Sequence, residues 1–197
     1  MKSPPLILAS QSPRRRELLT AAGYRFDVLP PGASAECGLC SGEGPAESVT
    51  RLARQKAEDV IRRLSIEPDD PRIVLACDTV AECRGMILGK PVDEAHAGEM
   101  LRSLRGREHR VFSGLCLWPL DRRPPRVQVD VTRLAMDNLS DAAIEEYLAS
   151  GAWEGKAGAF GYQDRLGWVR VIEGSESNVV GLPMELLAEM LAAAGDP

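Results

Sequence analysis

Aromatic side chains are scarce: three Phe, three Trp and three Tyr make up 5% of 197 residues. A chain this poor in stacking platforms does not suit sequence-tolerant binding of single-stranded nucleic acid. Excess positive charge is lacking too, since 24 Lys and Arg face 29 Asp and Glu for a formal net charge of -5. The surface as a whole repels polyanions, which argues against nucleic acid as a partner and restricts any anionic ligand to a local cluster of cations. No window approaches 18 consecutive apolar residues, the length a membrane-spanning helix requires. Histidine is limited to His96 and His109. Neither stands near the Cys or Asp pattern of a triad, and both are expected at the surface. The cysteines at 37, 40, 77, 83 and 116 are odd in number, with no apolar leader ahead of them, so reduced thiols and a cytoplasmic setting are expected. Cys37-Gly-Leu-Cys40 has the spacing of a zinc knuckle but no second Cys or His pair to match it, and reads as solvated loop thiols.

What is present is an ordinary globular balance, 44% apolar and 27% charged. That suffices for one substantial core, or two small lobes sharing a cleft, and the chain reads as a single domain over residues 1–197. Apolar runs at 6–9, 26–29, 73–77, 86–88, 111–118, 127–136 and 168–172 read as strands. Helices are expected at 46–64, 93–104, 140–150 and 183–194, and one more starts at Pro13 with Ser12 as its N-cap. Strands interleaved with helices predict an α/β layered sheet. Residues 30–45 form a loop of Gly, Pro, Ser and Ala, and loops of that length usually have a function.

Three features break local rules. Arg14, Arg15 and Arg16 occupy the first turn of a helix, where the macrodipole disfavours each cation by roughly 0.3–1 kcal/mol. A sharp turn after a buried strand, free backbone N–H groups and guanidinium forks together describe a phosphate-type anion site, with a solvated basic turn as the plain alternative and Arg16 the residue that best fits it. Asp78 follows Ile-Val-Leu-Ala-Cys at the carboxyl end of the strand expected at 73–77, the edge where open α/β sheets bind ligands. A carboxylate there either meets a cation, hydroxyl or backbone donor, or makes a turn with Thr79. Lys90, between Gly89 and Pro91, sits in a rigid turn that can aim an ammonium into a cleft. The segment 151–161 carries four glycines around Lys156 and reads either as a close approach of backbone to ligand or as a flexible connection.

These features fall in the order and wording of one family. Leu-Ile-Leu-Ala-Ser-Gln-Ser-Pro-Arg-Arg (6–15), Arg-Leu-Ala-Arg-Gln-Lys-Ala (51–57), Asp-Thr-Val (78–80), Leu-Gly-Lys-Pro (88–91), Lys-Ala-Gly-Ala-Phe-Gly-Tyr-Gln (156–163) and Asn-Val-Val-Gly-Leu-Pro (178–183) resemble the Maf family of nucleoside triphosphate pyrophosphatases. The resemblance implies a three-layer α/β/α fold with a long mixed sheet and two lobes around a cleft, similar to the inosine-triphosphate pyrophosphatase architecture, and a homodimer. It implies cleavage of a nucleoside triphosphate between the α and β phosphates with a divalent metal, Mg²⁺ or Mn²⁺. By position, Ser10, Ser12, Arg14 and Arg15 would hold phosphates, Asp78 would accept a proton, Lys56 and Lys90 would be further cleft cations, and Glu36 with Asp78 would approach the metal. Asp-Thr-Val together with Gln163 resembles the subgroup that prefers dTTP and UTP, with Arg14, Thr79 and Gln163 as specificity residues. The chain departs from the family pattern at Ala35, where relatives carry Asp, at Trp153, and at Phe160 in place of Tyr. Two other functions stand beside this one: a pyrophosphatase for 7-methyl-GTP or other modified nucleotides, and a nucleotide-binding regulator, linked to cell-division arrest, that does not hydrolyse.

Overall fold

The run Leu6–Leu8 (β1) is buried on both faces and pairs in parallel with Phe26–Val28 (β2) and with the first residues of Ile73–Cys83 (β3). In this computed structural model, residues 4–36, 42–164 and 166–194 are described. Beyond β3 the chain adds Met86–Leu88 (β4), Glu108–Pro119 (β5), Arg126–Met136 (β6) and Val169–Glu173 (β7). The sheet order is β2-β1-β3-β5-β6-β7, with β4 also paired to β3. The β1 and β2 pairings are parallel and the rest antiparallel, so the sheet is mixed as expected.

The two-residue period of the strands sorts side chains onto two apolar faces. Leu6, Leu8, Leu75, Leu115 and Leu117 point one way, onto Leu19 of helix Pro13–Ala21 (α1) and Leu187 and Met190 of helix Met184–Ala194. Ile7, Val74, Ala76 and Cys116 point the other way, onto Ala53, Ala57 and Val60 of helix Pro45–Ile61 (α2). The result is three layers, α/β/α. Farther along β3, β5 and β6, a separate cluster of Ala81, Cys83, Val111, Leu134 and Met136 packs on Leu101 and Leu104 of Glu94–Leu104 (α3) and on Ile144 and Leu148 of Asp141–Ala149 (α4). Thr79 and Ser113 are register partners between these clusters, their hydroxyls 2.8 Å apart. The sheet is continuous, but its apolar face is interrupted by this polar pair, and the two lobes part there.

The strand around Asp78 is longer than its apolar run. Rather than ending at Cys77, β3 continues through Asp78 to Cys83, because residues 73–82 all pair with β5. On its other edge β3 pairs with β1 only through Leu75 and with β4 only from Ala81. Asp78 therefore lies inside the strand, at a gap in its edge pairing. Helix α2 seats tightly above this point. Gly114, the register partner of Asp78, has no side chain, and a Cβ there would stand 2.3 Å from the Val49 carbonyl oxygen. A short helix, Glu176–Val180 (α5), capped by Ser175, was not apparent from periodicity; with α6 as the helix from Met184, it supplies one wall of the cleft.

Candidate active site

A cavity of about 380 Å³ opens at the gap in β3, between the two lobes. Its charged end begins at the turn after β1. The Ser10 Oγ accepts from the Ser12 N–H at 3.1 Å, and the Ser12 hydroxyl caps α1 by accepting from the Arg15 N–H at 3.5 Å. Pro13 at the first helical position presets the backbone for that start.

The two arginines then diverge. Arg15 runs across the cleft floor and donates through Nε to the Gly181 carbonyl at 2.7 Å, through Nη1 to Ser10 Oγ at 3.1 Å and through Nη2 to Thr79 Oγ1 at 3.2 Å. Arg14 reaches the opposite lobe and donates to the Gly155 carbonyl at 3.0 Å. Burial, and then its cationic neighbour Arg15, lower the Arg14 pKa. That cost is one a bound polyanion would relieve. Arg16 is exposed and does not line the cavity, in keeping with the solvated alternative.

Helix α2 brings Lys56 to Asp78, with Nζ 2.6 Å from Oδ1. Both side chains are largely buried, at 8% and 13% exposure. The carboxylate thus meets a cation instead of making the turn with Thr79 that the plain reading allowed. Asp78 lines the cavity, and among the described residues its Oδ2 accepts no hydrogen bond. Lys90 is exposed and lines the cavity at its rim, next to Gly89, whose carbonyl accepts from the Gly158 N–H at 3.0 Å. Gln163 is likewise an exposed lining residue. Thr79 is tied into the floor by Arg15 and Ser113.

The structure brings Ser10, Ser12, Arg14, Arg15, Lys56, Asp78, Thr79, Lys90 and Gln163 to one cavity. Glu36 ends a 3₁₀ turn, Ala33–Glu36, but its side chain lies outside the described atoms, and Cys37 and Cys40 lie outside the described residues. Among the described residues no group of three or more His, Cys, Asp and Glu side chains forms a metal cage. A single carboxylate with a free oxygen, facing a cavity also lined by Arg14, Arg15 and Lys90, nevertheless fits the way Mg²⁺ is held, by one or two carboxylates and substrate oxygens.

Two parts of the site were left open or misread in the sequence. The glycine-rich segment lines the cavity, the first of its two alternatives, and is not a flexible connection. Lys156, 9% exposed, pairs with Asp164, which also accepts from the Tyr147 hydroxyl at 2.8 Å. Burial, followed by this hydrogen bond, pushes the Tyr147 pKa up. Gly161 leaves room for that pair, since a Cβ would stand 2.5 Å from Lys156 Nζ and 2.8 Å from Asp164 Oδ2 and would push these side-chain ends aside. A charged residue among glycines is the only local signal, and it names no partner. The second part is His109, expected at the surface. It is 6% exposed and lines the apolar end of the cavity with Leu104, Val111, Leu134, Phe160 and Val169. The inward alternation 109, 111, 113, 115 along β5 carries that signal once the strand is extended two residues upstream.

The comparisons with relatives and with a family model agree with one another. A protein of Rhodopirellula baltica named dTTP/UTP pyrophosphatase is 58% identical over 189 residues, covering 94% of this chain and 80% of that protein. Proteins of the same name from Geotalea uraniireducens and Anaeromyxobacter dehalogenans are 41% and 42% identical, covering 96% and 99% of this chain and 95% and 96% of their own. Among solved structures, the Staphylococcus aureus Ham1 protein superposes with a TM-score of 0.45 at 14% identity, over 68% of this chain and 72% of that one. The family model described as Maf-like protein matches residues 5–194, and with relatives of this identity along nearly its whole length, the chain belongs to the Maf-like protein family.

Proposed function

We propose that this chain hydrolyses dTTP and UTP to the nucleoside monophosphate and pyrophosphate. The observation that carries the reading is that Arg14, Arg15, Lys56 and Lys90 line one cavity with Asp78 in a net-acidic protein. The names of the relatives support the substrate class.

A triphosphate brings three to four negative charges, and the arginine forks and ammonium groups neutralise its oxygens. Arg15, held at three points, presents a fixed guanidinium that needs little reorganisation as charge develops on the departing pyrophosphate. Lys56 fixes the orientation of Asp78, whose free Oδ2 orients the attacking water and accepts its proton. Asp78, together with Glu36, would hold Mg²⁺ or Mn²⁺. When bound, such an ion supplies charge neutralisation at the phosphates and a more acidic water. The same reading includes a cytoplasmic homodimer that removes non-standard nucleotides.

Pyrophosphate release from dTTP, UTP, CTP, ATP and 7-methyl-GTP, each with Mg²⁺ and Mn²⁺, tests the proposal. dTTP and UTP are expected to lead, and Asp78→Asn is expected to lower kcat by about 10²-fold or more, the scale of lost general base catalysis, in a protein that still folds but melts lower because the largely buried Lys56 loses its counter-charge. Preferred cleavage of 7-methyl-GTP, nucleotide binding without pyrophosphate release, or wild-type turnover in a folded Asp78→Asn protein would overturn it.

A further inference from the structure

The apolar end of the cavity holds one imidazole that the mechanism above does not use. His109 is 6% exposed and lines that end. Its Nδ1 lies 3.5 Å from the Arg107 carbonyl oxygen. A carbonyl only accepts, so this contact places the ring proton on Nδ1 and leaves Nε2 of the neutral ring as a bare acceptor. Among the described residues Nε2 has no hydrogen-bond partner, and it is not among the fully enclosed unsatisfied atoms, so a ligand can reach it. Burial lowers the imidazole pKa below its ordinary 6.5, against the opposing effects of the Arg107 carbonyl and the Glu82 charge, and the ring is neutral at pH 7.

The position suits a base. His109 precedes Ser113 by four residues on β5, roughly 13 Å at about 3.3 Å per residue, and Ser113 touches Thr79, on which Arg15 rests. A nucleotide with its phosphates at the arginines would span that length scale and carry its base toward Leu104, Val111, Leu134 and Phe160, which line the same cavity. Apolar walls accept a pyrimidine ring and the thymine methyl, but they cannot tell uracil from cytosine. A buried acceptor can.

We infer that His109 Nε2 accepts a hydrogen bond from the N3–H of thymine or uracil and is the contact that rejects cytosine, whose N3 is itself an acceptor. The inference rests on the pyrophosphatase reading and names the group that sets its base preference. Gln163, exposed and able to turn either its donor or its acceptor to a base, does not impose that choice. Sites built to satisfy a substrate N–H reject analogues lacking it strongly, because two desolvated acceptors then face each other.

The test compares UTP, CTP and 3-methyl-UTP, in which a methyl group replaces the N3 proton, as substrates of the wild type, His109→Leu and His109→Gln. The wild type is expected to prefer UTP over both others by about 100-fold or more in kcat/KM. In His109→Leu the UTP value is expected to fall at least about 10-fold with CTP unchanged, and His109→Gln, which keeps an acceptor, to recover part of the preference. Equal cleavage of UTP and 3-methyl-UTP by the wild type, or an unchanged UTP to CTP ratio in folded His109→Leu, overturns the inference. Should His109→Leu not fold, His109→Phe, which fills the same apolar end without an acceptor, takes its place with the same outcomes. Should no triphosphate be cleaved, the pyrophosphatase reading fails by itself. Calorimetric binding of UMP against 3-methyl-UMP to the wild type and to His109→Leu then decides for His109: a loss of about 10-fold or more in the wild type that disappears in His109→Leu supports it, and equal affinities in the wild type or an unchanged loss in the variant count against it.

Discussion

Gly114→Ala, a change of one methyl group, tests how the fold makes the site. Gly114 has no left-handed backbone requirement, so on chain entropy alone alanine would stabilise by about 0.4–1 kcal/mol. Sterics reverse the sign. The added Cβ would lie 2.3 Å from the Val49 carbonyl oxygen, 2.5 Å from its carbon and 2.9 Å from the Thr50 nitrogen, all of them backbone atoms that no rotamer change can move. Relieving that overlap requires α2 to lift from β5 by the better part of an ångström, at a cost of about 1–3 kcal/mol for overpacking. In a chain of 197 residues this lowers the melting temperature by roughly 2–12 °C. The functional effect follows from register. Gly114 is the partner of Asp78, and Lys56 sits two turns along α2 from Val49, so lifting the helix opens the 2.6 Å contact between Lys56 and Asp78. Calorimetry and pyrophosphate release on the purified variant should therefore show reduced stability together with a fall in kcat. A variant with wild-type melting temperature and turnover would refute the close seating of α2, and with it the account of how Lys56 reaches Asp78.

The remaining predictions concern other parts of the site. Lys156→Met leaves Asp164 and Tyr147 without their cation and should destabilise by up to about 3–5 kcal/mol, the range for breaking a buried pair; in urea unfolding the double variant Lys156→Met/Asp164→Asn should recover much of the loss, and strict additivity would count against coupling. Arg15→Lys keeps the charge but cannot span Gly181, Ser10 and Thr79, so kcat/KM for dTTP should fall by about 10²-fold or more, the scale of a lost preorganised donor, and wild-type kinetics would remove Arg15 from the phosphate site. Because the folded pKa of His109 lies below its ordinary 6.5, the unfolded chain binds the extra proton; that contribution to stability is complete above pH 6.5 and is lost as pH falls toward the folded value. Unfolding free energies measured from pH 7 down to pH 5 should thus slope more steeply in the wild type than in His109→Gln, and equal slopes would contradict a buried neutral ring. At lower pH, Asp70, held below its ordinary 3.8 by hydrogen bonds from Arg72, adds a further loss of stability common to both proteins.

On the proposed reading, the electrostatics explain how a protein of net charge -5 would accept a polyanion. Arg14, Arg15, Lys56 and Lys90 are separated by as many as 76 positions along the chain, yet line one cavity. Arg15 and Lys56 are already engaged, by neutral acceptors and by Asp78, and so are held in place before any ligand arrives. Preorganisation of this kind places the cations against the helix dipole and burial at a cost that the rest of the fold offsets.

The amino-acid sequence by itself determined the elements and the cast of residues. The two-residue alternation of residues 127–131, the Ser12-Pro13 start and the apolar spacing of residues 49–60 are local rules, and β6, α1 and α2 follow them. The oddity of arginines in a first helical turn was also legible, because that cost is local. Tertiary structure alone decided what each charge meets. Asp78 reads as a strand end because its apolar run stops there, but the chain continues as a strand because β5 supplies partners that no neighbour in sequence reveals. Lys156 finds Asp164, and His109 turns inward to line the cavity that Phe160 and Leu104 also line, through packing between elements distant in sequence. Periodicity reports which way a side chain faces; only the assembled sheet and helices decide what stands opposite it.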